Sequence, residues 1–265
     1  MRHPDHDCLV EIVRAWYTCS YPEMGYHREQ RRFGYYSRNL RALYNATNQV
    51  TVRGLAPGQV PEFLADVRKY YGNRPVRIWV DDRQTDAELG PALLAAGCSR
   101  GDAEIFLAHV GPAPWAPSVP GLTTEAVTPA NLVEYVVTKL KGFANSEVEP
   151  TPDAVRAELA LRRAELAGEG RFLLARIRGE PAGIIGWYEG WDRFIFQLAT
   201  RVPFRRRGIA KWLLCHVLAD GYAQGCRSVI ISADPNDAPI QLYRRLGFTD
   251  EIYWRQRYQL RADGA

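Results

Sequence analysis

The run Phe194-Ile-Phe-Gln-Leu-Ala-Thr-Arg-Val-Pro-Phe-Arg-Arg-Arg-Gly-Ile-Ala-Lys-Trp-Leu-Leu214 changes its hydrophobic period part-way, and that change limits what the chain can fold into. Phe194 to Thr200 is apolar and aromatic, the pattern of a mostly buried strand. From Ile209 onward, Ile209, Leu213 and Val217, with Ala210, Leu214 and Leu218, fill one helical face. Between them lies a basic turn, Arg205-Arg-Arg-Gly-Ile-Ala210. A strand that passes through a glycine-containing turn into a helix presents free N–H groups and the positive end of a helix dipole, an arrangement that binds phosphate. Gly208 and Ala210 add no bulk that would hold a pyrophosphate away from the backbone, and the arginines add charge. The turn has neither the Gly-Lys-Ser/Thr of a P-loop nor the three glycines of a dinucleotide fold.

A chain of 265 residues that is 46% hydrophobic can bury a sizeable core, in one large domain or two small ones. The net charge of +4 is mild and carried almost wholly by arginine; the lysines are Lys69, Lys139, Lys141 and Lys211. No basic run beyond Arg205–Arg207 offers a nucleic-acid track, so no nucleic-acid partner is expected. No apolar run is long enough to span a membrane, and the N-terminus lacks an apolar signal core, so no membrane partner is expected either. Cys8, Cys19, Cys98, Cys215 and Cys226 form no C-x-x-C pair, which points to a reduced, cytoplasmic setting, with Cys215 and Cys226 buried. His3, Asp5, His6 and Asp7 read as a frayed terminus, and no metal is expected.

In chain order, the four prolines of Gly111-Pro-Ala-Pro-Trp-Ala-Pro-Ser-Val-Pro120 mark a stiff linker. The division expected is a domain over 1–112, a linker over 113–120 and a second domain over 121–265. In the first part, helices are expected at Leu9 to Tyr17, Pro61 to Tyr70 and Ala87 to Ala95, and strands at Pro75 to Val80 and Ala103 to Val110; Tyr26 to Tyr44 stays unassigned. In the second, strands at 122–127, 171–178, 182–189, 194–200, 228–233 and 251–260 alternate with helices at 128–141, 151–166, 209–224 and 239–246. That order is a mixed α/β layer in which one crossover helix follows the phosphate turn.

Three motifs in the second part resemble the GNAT superfamily of acyl-CoA-dependent N-acyltransferases over roughly Leu122 to Leu260. Arg205-x-x-Gly208-x-Ala210 is similar to that family's pyrophosphate signature. Asn236 followed by Leu242-Tyr243 matches its asparagine and Leu-Tyr helix, and Leu246-Gly247-Phe248 matches its Gly-Phe ending. The departures are Pro203, displaced from its usual place, Pro239 where a small residue is usual, and Ile231 where some members carry a catalytic glutamate. The first part resembles the last third of the same fold, with Cys98 where phenylalanine is usual, but lacks the pyrophosphate signature. It reads as a degenerate GNAT-like domain without a CoA site, packed against the active half and walling its acceptor cleft. The implied fold class is therefore α/β, a mixed-sheet GNAT fold in tandem.

The resemblance implies N-acetyl transfer from acetyl-CoA, by direct attack of a primary amine in a ternary complex. The donor's pyrophosphate is expected on Arg205, Arg206, Arg207, Gly208, Ile209 and Ala210. Its pantetheine is expected along Leu198, Ala199 and Thr200, with Asn236 bonded to the same arm. Tyr243 is the expected proton donor to the departing thiolate; a tyrosine near pKa ~10 can protonate the thiolate of a thiol near pKa ~8.5 in a dry contact. Tyr243 also suits the buried face of an amphipathic helix, and Asn236 suits a helix N-cap. Glu189 is the candidate base, with Asp192 beside it, and Gln197 a residue that could hold a water. Trp187, Trp191 and Glu147 form an expected aromatic and anionic acceptor site, which favours a small cationic amine. Packed sheet aromatics and solvated acids explain the same residues. Two alternatives stay open: a peptide or protein N-acetyltransferase, and a non-catalytic acyl-CoA-binding regulator. A monomer or homodimer is expected.

Overall fold

The structure, a computed structural model, describes residues 2–18, 26–39, 48–190 and 192–261. Packing divides the chain into two compact units, one of Pro4–Phe106, Ala233–Asp237 and Glu251–Ala265, the other of Met1–His3, Leu107–Ser232 and Ala238–Asp250. Strands β5 (Ser99–His109) and β11 (Phe248–Leu260) contribute residues to both.

In the first unit the sheet runs β1-β2-β3-β4-β11-β5. The Tyr26-to-Tyr44 region, which periodicity leaves open, holds the antiparallel hairpin of β1 (Tyr26–Arg31) and β2 (Gly34–Asn39) as far as it is described. β3 (Gln49–Val52), a four-residue strand with no turn signature of its own, pairs antiparallel with β2 and parallel with β4 (Val76–Asp81). Phe63 and Val67 of α2 (Val60–Tyr71) and Leu89 and Leu93 of α3 (Arg83–Ala95) pack with Tyr36, Val50, Ile78 and Val80 into one core. Helix α3 starts four residues before the expected Ala87 because the Asp82 carboxylate accepts from the Thr85 N–H at 2.8 Å, fixing an N-cap. Helix α1 (His6–Thr18) follows a terminus that is tied down rather than frayed: the His3 N–H, in the second unit, donates to Asp250 at 2.8 Å.

The second unit carries β6 (Leu122–Ala126), β7 (Gly170–Ile177), β8 (Glu180–Tyr188), β9 (Asp192–Thr200) and β10 (Ser228–Ala233), in the order β10-β9-β8-β7-β6. Pairing is antiparallel from β6 to β9 and parallel between β9 and β10. Helices α4 (Leu132–Ala144) and α5 (Pro152–Ala167) pack on one face; Leu132, Tyr135 and Val136 meet Phe172, Leu174, Ile184 and Ala199. Helix α6 (Ile209–Ala223) covers the other face, where Ile209 lies against Gly183. The short α7 (Pro239–Arg245) leads into β11.

The division by packing departs from the one expected at the proline-rich linker. Arg255 pairs with Asp81 and Leu260 with Val76, so backbone hydrogen bonds place the end of the last strand beside β4 and not in a self-contained C-terminal part. Residues 233–237 join the same unit. Among the described residues no helix is long and apolar enough to cross a membrane.

Candidate active site

Strand β9 is paired on both edges for only half its length. Its parallel ladder with β10 covers Asp192 to Ile195, while its antiparallel ladder with β8 continues to Thr200. The β8–β9 register shifts between Gly186 and Trp187, which leaves Phe196 as an extra residue, a β-bulge. Beyond the bulge the Arg201 N–H bonds the Ala182 carbonyl of β8 at 2.9 Å. Strand alternation then turns the N–H groups of Thr200 and Leu198 the other way, toward the edge that β10 has left. The expected gap is present, with Leu198, Ala199 and Thr200 along it.

A single 3-10 turn, Val202–Phe204, joins this edge to the arginine turn. Arg206 has φ +63° and Gly208 φ +87°, so two left-handed residues curl the backbone just ahead of α6. Among the described residues, the N–H groups of Arg206 through Lys211 meet no backbone carbonyl, which is the state in which a turn can take up an anion. Arg205 differs from the expectation. Its Nε donates to the Thr200 carbonyl at 3.0 Å, and its Nη2 to the Gly142 carbonyl at 2.9 Å and to Asn145. Its side chain braces the end of β9 to the end of α4 and is not directed at a phosphate. Arg207 donates to the Pro203 carbonyl at 3.0 Å, and Arg206 is exposed. The linker borders the turn: a Cβ on Gly208 would come within 3.4 Å of Val119 and 3.7 Å of Pro117.

The bulge also sorts side chains onto the two faces. Arg193 and Ile195 face α6; Phe194, Phe196, Gln197 and Ala199 face α4 and α5. The expected acceptor patch is split by this sorting. Trp187 donates through its indole N–H to Glu189 at 2.8 Å, and the Arg193 guanidinium lies 5.5 Å from the Trp187 ring centre. The other Glu189 oxygen accepts from Arg193 Nε at 2.7 Å. Arg193 is wholly buried and also bonds the Val217 carbonyl at 3.0 Å and Asp220 at 2.8 Å. Glu189 is thus the counter-ion of a buried arginine, with both oxygens committed, and Trp187 spends its π-face on that same arginine. Neither supports the role expected of it. Asp192 is likewise held, by Ser228 at 2.6 Å and Arg227 at 3.0 Å. Glu147 pairs with Arg201 and Glu149 with Lys141, so the α4–α5 loop carries no uncompensated acid at these positions. Trp191 lies outside the described residues.

On the α4–α5 face stands a group of residues that the motifs do not mark. Arg162 and Glu165, each about 5% exposed or less, pair with each other, and Arg162 also faces Glu158 at 3.4 Å. Lys139 pairs with Glu158 at 2.6 Å, and the Tyr188 hydroxyl donates to Glu165 at 2.9 Å. Tyr188 stacks on Phe196 with centroids 4.3 Å apart, and the Arg162 guanidinium lies 5.6 Å from the same ring. The Tyr135 hydroxyl, fully buried, donates to Gln197 at 2.9 Å. Gly186, opposite Gln197, leaves room for this contact, since a Cβ there would sit 2.9 Å from the Tyr135 oxygen. The spacing of Glu158, Arg162 and Glu165 (i, i+4, i+7) was the available signal: a charged stripe beside the apolar stripe of Val155, Leu159 and Leu166.

Burial pushes Glu165 above its ordinary value of 4.5, against the pull of Arg162. Burial likewise lowers Lys139, against Glu158. A carboxyl whose folded-state pKa is raised favours folding below its unfolded value and loses that contribution as pH climbs through the folded one. The free-energy difference between the parent and Glu165→Gln should therefore shift toward the variant as pH rises above the ordinary glutamate value of 4.5, as measured by urea unfolding at each pH.

Tyr243 is buried on α7, edge-on to Phe248 at 6.4 Å. Asn236 is exposed, with its N–H bonded to Asp234 at 2.8 Å. It does not cap α7, whose N-cap position is Ala238. Ile231 pairs with Ile195 inside the sheet, where a carboxylate would be buried. Cys215 is buried and Cys226 half-buried; burial raises both thiols.

Residues 138–248 match the family model described as Acetyltransferase (GNAT) family. Among solved structures, the chain is similar to a functionally unknown conserved protein from Staphylococcus epidermidis ATCC 12228, at 14% identity and a TM-score of 0.69, over 90% of this chain and 95% of that one. It is similar to a GCN5-related N-acetyltransferase from Kribbella flavida at 17% identity and a TM-score of 0.62, over 97% and 96%. A tandem GNAT protein from the clavulanic acid biosynthesis pathway aligns at 12% identity and a TM-score of 0.60, over 97% and 88%.

Proposed function

We propose that this chain, whose residues 138–248 match the GNAT acetyltransferase family model and whose fold is similar to that of a tandem GNAT protein, moves an acetyl group from acetyl-CoA to a primary amine. One observation carries this reading: the unpaired edge of β9 leads within a few residues into a turn whose amides meet no carbonyl. An extended amide-bearing arm followed by a diphosphate matches these two donor sets in sequence. In this reading the Leu198 N–H, on that free edge, polarises the thioester carbonyl.

The amine lone pair forms the new C–N bond as the carbonyl electrons move onto oxygen. The C=O then re-forms, the C–S bond breaks, and the thiolate takes a proton from Tyr243, which regains one from solvent. The amine's own proton leaves to solvent, since Glu189 and Asp192 are held in ion pairs. A cationic acceptor loses the support that Glu147, Glu189 and Trp187 were expected to give it; a neutral or apolar primary amine fits equally well. A cytoplasmic setting, where acetyl-CoA is available, belongs to the same proposal.

The test is a screen for amine-dependent thiol release from acetyl-CoA, with donor binding measured separately by calorimetry. Absence of acetyl-CoA binding would remove the proposal. With an acceptor in hand, Tyr243→Phe should lower kcat by about 100-fold, the usual scale for loss of a general acid, with the donor Kd unchanged.

A further inference from the structure

We propose that the Gln197 side chain supplies a second hydrogen-bond donor to the thioester oxygen, beside the Leu198 N–H, and that Tyr135 is the residue that aims it. The inference rests on the acetyl-transfer reading above. Gln197 is only 7% exposed, yet its amide is half used. Its oxygen accepts from the Tyr135 hydroxyl at 2.9 Å, while among the described residues its Nε2 meets no acceptor. An amide N–H2 that meets no protein acceptor is open to an acceptor on a ligand.

Three features fix its direction. Burial lifts Tyr135 well above the usual tyrosine range, so its O–H stays protonated and keeps donating to the Gln197 oxygen. That holds the amide with nitrogen pointing away from Tyr135. Gly186 gives the Tyr135 hydroxyl the space to reach Gln197. The bulge at Phe196 places the root of the Gln197 side chain next to the first N–H that faces the open edge of β9. Two donors thus leave adjoining residues where the strand parts from β10. In the addition step the carbonyl oxygen gains a full negative charge, and two donors stabilise that charge more than one.

The experiment uses full-length protein with acetyl-CoA labelled with carbon-13 at the acetyl carbonyl, read by difference infrared spectroscopy, and needs no acceptor. Bound to the parent, the carbonyl band should lie below that of free acetyl-CoA; Gln197→Ala should move it back up, and Tyr135→Phe should move it part of the way. On an identified amine, Gln197→Ala should cost about 100-fold in kcat, the scale for losing one oxyanion donor, with little change in donor Kd. If labelled donor binds Gln197→Ala normally and the band does not move, the inference is overturned. If calorimetry finds no donor binding to the parent, the acetyl-transfer reading fails instead. Should Gln197→Ala fold poorly, Tyr135→Phe decides the matter by itself: an unshifted band rejects the role.

Discussion

Gly208→Glu should raise the acetyl-CoA dissociation constant by at least about 100-fold, roughly 2.7 kcal/mol. Two effects act together. Gly208 holds φ +87°, a left-handed conformation that costs a residue with a Cβ about 1–2 kcal/mol. The new carboxylate would also compete for the amides of Arg206 through Lys211 and repel a pyrophosphate brought to them. Gly208→Ala separates the two, since it keeps the backbone strain and the 3.4 Å approach to Val119 but adds no charge. It should fall between parent and Gly208→Glu in calorimetry. Equal affinities in all three proteins would show that the donor does not use this turn.

Arg162→Met should cost about 3–5 kcal/mol in unfolding free energy, the usual penalty for removing one partner from a buried ion pair. The Arg162 and Glu165 side chains are 5% and 4% exposed, so solvent screens little of their interaction. Without the guanidinium, Glu165 and Glu158 are left with Lys139 as the cation of the group. The double variant Arg162→Met, Glu165→Gln should regain a good part of the loss, because residues in one network do not add. Denaturant midpoints at constant slope would measure both. A loss below about 1 kcal/mol in the single variant would mean that the group behaves as an exposed pair.

Backbone elements were readable wherever periodicity and punctuation agreed. Ile209 to Ala223 declares its helix through its apolar face, and Ser228–Ala233 its strand through an unbroken apolar run. Gln49–Val52 did not, being too short to show a period. The turn at Arg206–Gly208 was legible because backbone geometry makes it: a glycine turn after a strand is written in residue types. The pairings of Trp187, Glu189 and Glu147 were not legible, for the opposite reason. Trp187, Glu189 and Glu147 look available in one dimension, but Arg193 and Arg201 come from elsewhere on the sheet to satisfy them. The bulge at Phe196 decides which side chains share a face, and a one-residue register shift leaves no mark in composition. Gln197 is on the α4 side only because of it.

The last strand has a consequence for how the protein is made. Gln259 bonds the Val76 carbonyl across 183 positions of sequence, and Arg255 to Leu260 complete the edge of β4. During synthesis β4 emerges long before its neighbour, so the sheet of the first unit keeps a bare hydrogen-bonding edge until β11 follows. Such late closure slows folding and exposes an edge to wrong pairings. A nascent chain released before Arg255 would lack that pairing altogether, so the first sheet can close only after the second unit has been synthesised.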